Sequence, residues 1–265
     1  MRTIAAPMRF PDVRRRAGWI AVTTAILAGL AGCGGGGGGS GSTPAVPKAE
    51  GAYSGATSRG YDIGVVVLDD DTVWAYYSVG NLVYGFVHGV GASANNAFSV
   101  PSIRDYYFPT VTTYSGSASG SYDPRVSIQG TLQYAGQTPM TFSATAAALV
   151  GYSYDQPATS GAVAGTWSGA VGPTGETATV TIGATGALNA MTSSGCTFTG
   201  MASPRASGKN VYDVTITFGS SPCLLVNATV TGIGVITEPT VGVTQLLAAV
   251  VNPSRSSGFA FVGTK

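Results

Sequence analysis

The chain has 265 residues, with 13 Lys/Arg against 12 Asp/Glu, a single histidine and 39 glycines. Charge this sparse and balanced argues against a nucleic-acid binder, which needs a clustered basic surface. Abundant Gly, Ser, Thr, Ala and Val fit an extracytoplasmic β protein better than a helical cytosolic enzyme. At the start of the chain Arg9, Arg14, Arg15 and Arg16 lead into an apolar run over residues 17–30, which stops at Ala31-Gly32-Cys33. A basic start, a short apolar segment and small residues are the layout of a secretory signal, here residues 1–32. At about fourteen residues, the run is short of the roughly twenty that a membrane-spanning helix needs.

Leu30-Ala31-Gly32-Cys33 resembles the lipobox of bacterial lipoproteins. The resemblance implies that the Cys33 thiol takes a diacylglyceryl group, that the signal is cut before it, and that the new amino terminus is acylated. Several buried acyl chains, at ~0.8 kcal/mol per methylene, make a lasting membrane anchor. An ordinary signal peptide with an incidental cysteine is the alternative. Residues 34–39 are six glycines and the run to 49 is rich in Ser and Pro, so residues 33–49 read as a flexible tether. Gly34 after the acylated cysteine implies sorting to the outer membrane by the rule of enteric lipoproteins, on its periplasmic or its surface face. Removing the five arginines and one aspartate of residues 1–32 leaves eight basic against eleven acidic residues, a net charge of −3.

The remainder reads as strands. Residues 61–68 and 72–78, broken by Asp69-Asp70-Asp71, make a hairpin. Residues 85–89 form a strand that carries His88. Residues 102–107 are expected as a helical turn and 145–150 as a short helix. Residues 211–218 alternate apolar with small or polar side chains, the period of a half-buried strand, and 226–231, 244–251 and 258–263 continue the series. Cys196 and Cys223 are left as an even pair, and outside the cytoplasm such a pair is readily a disulfide, worth ~3 kcal/mol by loop-closure entropy. The alternative, a metal pair, lacks a histidine or third cysteine nearby.

Gly51-Ala-Tyr-Ser-Gly55 returns as Gly165-Thr-Trp-Ser-Gly169, and Pro44-Ala45 and Pro157-Ala158 precede them. The repeat divides the folded part into two β domains, residues 50–160 and 161–265. The expected fold is all-β, with two tandem antiparallel meander halves forming small up-and-down barrels, because a long meander must hide its edges. A β-sandwich is the alternative, and whether the halves make two barrels or share one sheet is open at this point. Gly-x-Trp/Tyr on a first strand is similar to the start of lipocalins, where the aromatic closes one end of the barrel.

Gly165-Thr-Trp167, residues 194–200, 204–212 and 217–223, and Arg104-Asp105-Tyr106 resemble a family of uncharacterised proteobacterial lipoproteins. The likeness covers most of residues 50–265 and is densest in 165–265. It implies the general architecture of the small eight-stranded barrels of surface lipoproteins such as transferrin-binding protein B, and it brings no activity with it.

Candidate chemistry is thin. His88 reads as a structural or surface residue, since no nucleophile or acid motif surrounds it. Asp69-Asp70-Asp71 suits a hairpin turn; a calcium loop would need six or more oxygen ligands in a different spacing. Arg205 and Lys209, in the loop 204–210, form a cationic tip and are candidate partner contacts, against a plain turn. Trp74 and Tyr76 share one strand face and Tyr77 takes the other; core filling is expected here rather than a ligand cavity. No catalytic residue, metal ligand or cofactor is assigned. The expected function is a non-enzymatic, lipid-anchored barrel of the cell envelope with a binding or structural role, its partners being the membrane and a protein or small molecule of unknown identity. A lipocalin-type carrier of small ligands is the alternative.

Overall fold

The computed structural model describes residues 47–80, 82–146 and 151–265, and the two-residue strand Met8–Arg9. The rest of the expected signal, Cys33, most of the expected tether and residues 147–150 of the expected short helix lie outside the described residues; Thr145 itself ends a strand.

Eight strands form the first barrel: β1 (Gly51–Thr57), β2 (Asp62–Val67), β3 (Thr72–Val79), β4 (Leu82–Ala94), β5 (Ala97–Tyr107), β6 (Thr112–Asp123), β7 (Ser127–Tyr134) and β8 (Met140–Thr145). Each pairs antiparallel with the next, and β1 closes onto β8 from Ser54↔Thr145 to Thr57↔Phe142. The second barrel repeats the plan: β9 (Gly165–Gly172), β10 (Glu176–Ile182), β11 (Ala187–Thr192), β12 (Thr197–Pro204), β13 (Tyr212–Phe218), β14 (Thr229–Thr240), β15 (Val243–Val251) and β16 (Gly258–Thr264). It closes through Ser168↔Thr264 and Gly172↔Ala260. The chain is therefore all-β and consists of two closed up-and-down barrels, not a sandwich.

Period-2 patterning drives this arrangement. In β10, Ala178, Val180 and Ile182 are buried while Thr177, Thr179 and Thr181 are exposed. The same alternation in β13 buries Tyr212, Val214 and Phe218. Apolar side chains fill the inside and threonines cover much of the outside, the reverse of the pattern in a transmembrane barrel. Closure pairs both flanks of each of the sixteen barrel strands.

Two expectations need correction. Residues 102–107 form no helical turn; they belong to β5, where His88↔Arg104 and Arg104↔Ser115 pair the strand on both sides. Ladders on two flanks outweigh a weak local preference, and Pro101 sits where the register with β6 slips between Val100 and Ile103. The helical turn comes immediately afterwards, a 3-10 turn at Phe108–Thr110. Residues 226–228 also lie outside any strand: Asn227 is left-handed (φ 57°), and β14 begins at Thr229.

One side of each barrel departs from the polar exterior. Trp74, Phe86, Tyr106 and Phe108 project outward from the first barrel and pack with Val211, Ile233, Ala249 and Val262 of the second. Phe86 stacks on Tyr106 at 4.6 Å. A Cβ on Gly258 would come within 2.6 Å of Phe86 and 2.8 Å of Tyr106, so glycine on β16 is what lets the aromatic pair approach. Polar clips flank this seam. Arg255 donates to the carbonyls of His88 (2.9 Å) and Ser102 (3.0 Å), and its own carbonyl accepts from the Tyr106 hydroxyl at 3.0 Å.

His88 is a seam residue. It is 7% exposed, its ring centre lies 4.3 Å from that of Trp74, and its Nδ1 has no hydrogen-bond partner. Burial, with help from the Arg255 charge, pushes its pKa down to about 4. The folded value is below the unfolded one, so the contribution of neutral His88 is complete above about pH 6.5 and is lost as pH falls through about 4. Urea midpoints measured between pH 7.5 and 4 should show a fall of up to ~3 kcal/mol attributable to this group. His88→Phe should flatten that part of the profile. An unchanged slope in the variant would contradict the assignment.

Candidate functional site

Each barrel is stoppered at the end where its chain enters. Tyr53 and Trp167 occupy equivalent places in the repeat, and both are fully buried. The Tyr53 hydroxyl donates to the Ala49 carbonyl at 2.8 Å, and Trp167 Nε1 donates to the Val163 carbonyl at 2.9 Å. In each case the acceptor lies four residues back, on the segment that crosses the barrel floor. For Trp167 that segment is the short helix α1 (Ser160–Val163), capped by Thr159. The Lys265 ammonium lies 4.4 Å from the Trp167 ring centre and donates to the carbonyls of Ala162 and Ala164, both at 2.7 Å.

Arg205 and Lys209 lie at these floors rather than at an outward tip. Arg205 reaches across the seam to Asp69 (2.6 Å) and Asp70 (2.9 Å) while also pairing with Asp213 at 2.7 Å on its own barrel. Lys209 pairs with Asp155 (2.8 Å) and Glu50 (3.6 Å), and it shares the Tyr154 ring with Arg125. Asp69 and Asp70 thus serve as a turn and as ion-pair partners. Asp71, left-handed at φ 62°, turns inward to Lys48 (2.7 Å) and the Ser93 hydroxyl. Since Arg205 touches the floor of the first barrel, both floors face the same way, and both open ends face the other.

At the open end of the second barrel, Cys196 and Cys223 form the disulfide, with Cα atoms 4.6 Å apart. Glu176 accepts from Ser194 there at 2.8 Å. Beneath lies an apolar cavity of about 200 Å³, walled by Val180, Leu188, Phe198, Phe218, Leu246 and Phe261.

The open end of the first barrel is built differently. Up-and-down strands alternate direction, so the start of one strand and the end of the next lie on the same rim. Tyr61 and Tyr84 come at strand starts, Tyr77 and Tyr107 at strand ends, and Tyr114 and Tyr134 complete the rim. Their ring centres follow one another at 5.5 Å (Tyr77–Tyr61), 6.0 Å (Tyr61–Tyr84), 6.4 Å (Tyr84–Tyr107), 6.4 Å (Tyr107–Tyr114) and 6.5 Å (Tyr114–Tyr134). Asp105 links the two ends of this arc, accepting from the Tyr77 hydroxyl at 2.6 Å and the Tyr134 hydroxyl at 2.8 Å. Gly85 makes that possible, because a Cβ there would collide with the Tyr77 hydroxyl and the Tyr106 carbonyl.

Burial pushes the Asp105 carboxyl above the usual carboxylate range, and the two tyrosine hydrogen bonds pull it back part of the way. Burial, then the neighbouring carboxylate, pushes both hydroxyls far upward, so they remain protonated donors. Below the rim is a cavity of about 240 Å³ walled by Ile63, Val65, Val87, Ile103, Leu132 and Phe142. Such a shape can hold a compact apolar body with a polar head at the rim. His88 sits on the outer face of the barrel wall, away from this cavity, and no group of three or more His, Cys, Asp or Glu that could hold a metal exists among the described residues.

Trp74 and Tyr76 do share one face and Tyr77 the other, but the first two face the seam instead of the barrel interior. Tyr61, Tyr114, Tyr134 and Asp105 were not singled out from the sequence as a site. Their only sequence signal is tyrosine at alternate strand ends, which becomes visible once strand directions are known. No family model, no curated protein and no solved structure matches the chain.

Proposed function

We propose that the chain is a lipid-anchored, non-enzymatic binding protein of the cell envelope that takes a small ligand into its first barrel. The anchor reading rests on the signal layout, Cys33 and the glycine tether, with the outer membrane as the site of attachment. The observation that carries the binding reading is the apolar cavity of about 240 Å³ beneath the tyrosine rim. Engineered apolar cavities of about 150 Å³ already take up benzene. This favours the small-ligand carrier over a role that is structural alone.

Titration of the full chain with indole, a neutral probe of suitable size, should show saturable binding in calorimetry. Ile103→Phe, which fills the first cavity from a buried wall position, should remove that site and leave only what the cavity of the second barrel takes up; no saturable uptake by the parent chain, or uptake unchanged in the variant, would overturn the binding reading. Fatty-acid analogue labelling of cells should mark the protein, and Cys33→Ser should lose the label. Label persisting in that variant would refute the anchor.

A further inference from the structure

The tyrosine rim holds a carboxylate that has no ion-pair partner among the described residues. Among the described residues no Lys, Arg or His pairs with Asp105, whereas each of these carboxylates at the barrel floors touches a cation: Asp71 touches Lys48, Glu50 touches Arg125 and Lys209, and Asp69, Asp70 and Asp213 share Arg205. Arg59 also lines the cavity, where it donates to the Thr138 carbonyl at 2.8 Å and its charge reaches the Tyr134 hydroxyl, but it forms no ion pair with Asp105. Taking a carboxylate out of water without a counter-charge costs several kcal/mol, and hydroxyl donors offset only part of that. Asp105 therefore lacks a directly paired positive charge among the described residues.

The surroundings specify the kind of charge. Six tyrosine rings stand in sequence around the rim, and ring faces attract cations within about 6 Å. A hard metal ion is poorly served, because it needs six or more oxygen ligands or a rigid octahedron, and the Tyr77 and Tyr134 hydroxyls already point their protons at Asp105. An anion would meet the carboxylate and the negative ring faces. A neutral molecule would leave Asp105 uncompensated.

We propose that the rim of the first barrel binds a small organic cation, an ammonium on a compact apolar body, with the ammonium between Asp105 and the tyrosine rings and the body in the cavity below. The proposal rests on the reading of this barrel as a ligand site and names the ligand class. Size narrows it further. Scaling from benzene in about 150 Å³, a cavity of about 240 Å³ holds about ten non-hydrogen atoms, which leaves out long-chain lipids.

Phenethylamine, phenylethanol and phenylacetate share one apolar body and differ in the charge of the head. In calorimetry on the full chain the amine should bind at least about ten-fold more tightly than the alcohol, and the carboxylate most weakly. Asp105→Asn should weaken the amine several-fold and narrow its margin over the alcohol to what the rings supply. The double variant Tyr107→Leu/Tyr114→Leu changes rings that are only partly buried, so the barrel should stay folded. It should weaken binding of the amine and of tetramethylammonium several-fold without touching the carboxylate. Equal affinity for amine and alcohol in the parent chain, or a margin that Asp105→Asn leaves unchanged, would overturn the proposal. Indole separates the two possible failures. Indole binding without an amine preference leaves the ligand site standing and removes the cation, whereas no binding of any probe removes both.

Discussion

Trp167→Ala is expected to destabilise the second barrel by about 4 kcal/mol, the upper range for deleting a fully buried aromatic. The indole is completely enclosed and touches the floor helix and the barrel wall together. Three losses add up: the cavity left behind, the Val163 carbonyl deprived of its donor, and the cation–π contact with Lys265. Trp167→Phe keeps most of the volume and gives up the hydrogen bond, so it should cost only about 1 kcal/mol. Thermal melts followed by circular dichroism should fall by roughly 10 °C for the alanine variant. A melt within about 2 °C of the parent would mean that Trp167 is no stopper. Tyr53→Ala, at the equivalent place in the first barrel, should behave in kind.

Removing the disulfide by Cys196→Ala/Cys223→Ala should cost about 3.5 kcal/mol, from loop-closure entropy over a separation of 27 residues. The effect is local. The bridge ties the turn after β11 to the long loop between β13 and β14, at the open end of the second barrel. Urea denaturation with and without dithiothreitol should show the reduced parent chain matching the double variant. The reductant should leave the variant unmoved and should leave indole uptake by the first barrel intact. If reduction has no effect on the parent midpoint, the bridge is not a stabilising element.

Much of this fold could be read from particular residues. The alternation over 176–182 and 211–218 marks half-buried strands without ambiguity, and the returning Gly-x-aromatic-Ser-Gly marks where each barrel begins. Cys196 and Cys223 pair as compartment and number suggested. The seam was harder to see. Trp74, Phe86 and His88 occupy an outer face, and nothing local distinguishes burial against a neighbouring barrel from burial inside one's own. Arg205 misled for a related reason: an arginine in a turn looks solvated until a second domain supplies Asp69 and Asp70. The rim was least legible of all, since its six tyrosines are gathered from strand ends scattered between Tyr61 and Tyr134 and only the closed register makes them neighbours.

The seam also bears on the order of synthesis. The first barrel emerges first from any ribosome or export channel, and domains generally fold as they appear. When it closes, Trp74, Phe86 and Tyr106 stand on its exterior with their partners on β14, β15 and β16 still to come. For that interval the nascent protein carries an apolar, self-adhesive flank that later contacts will hide. Completion of the last strand, which brings Gly258 up against Phe86 and Tyr106, ends that exposure. A chain shortened between β8 and β16 would keep its adhesive flank for good, so truncation there should lead to aggregation before it leads to loss of binding.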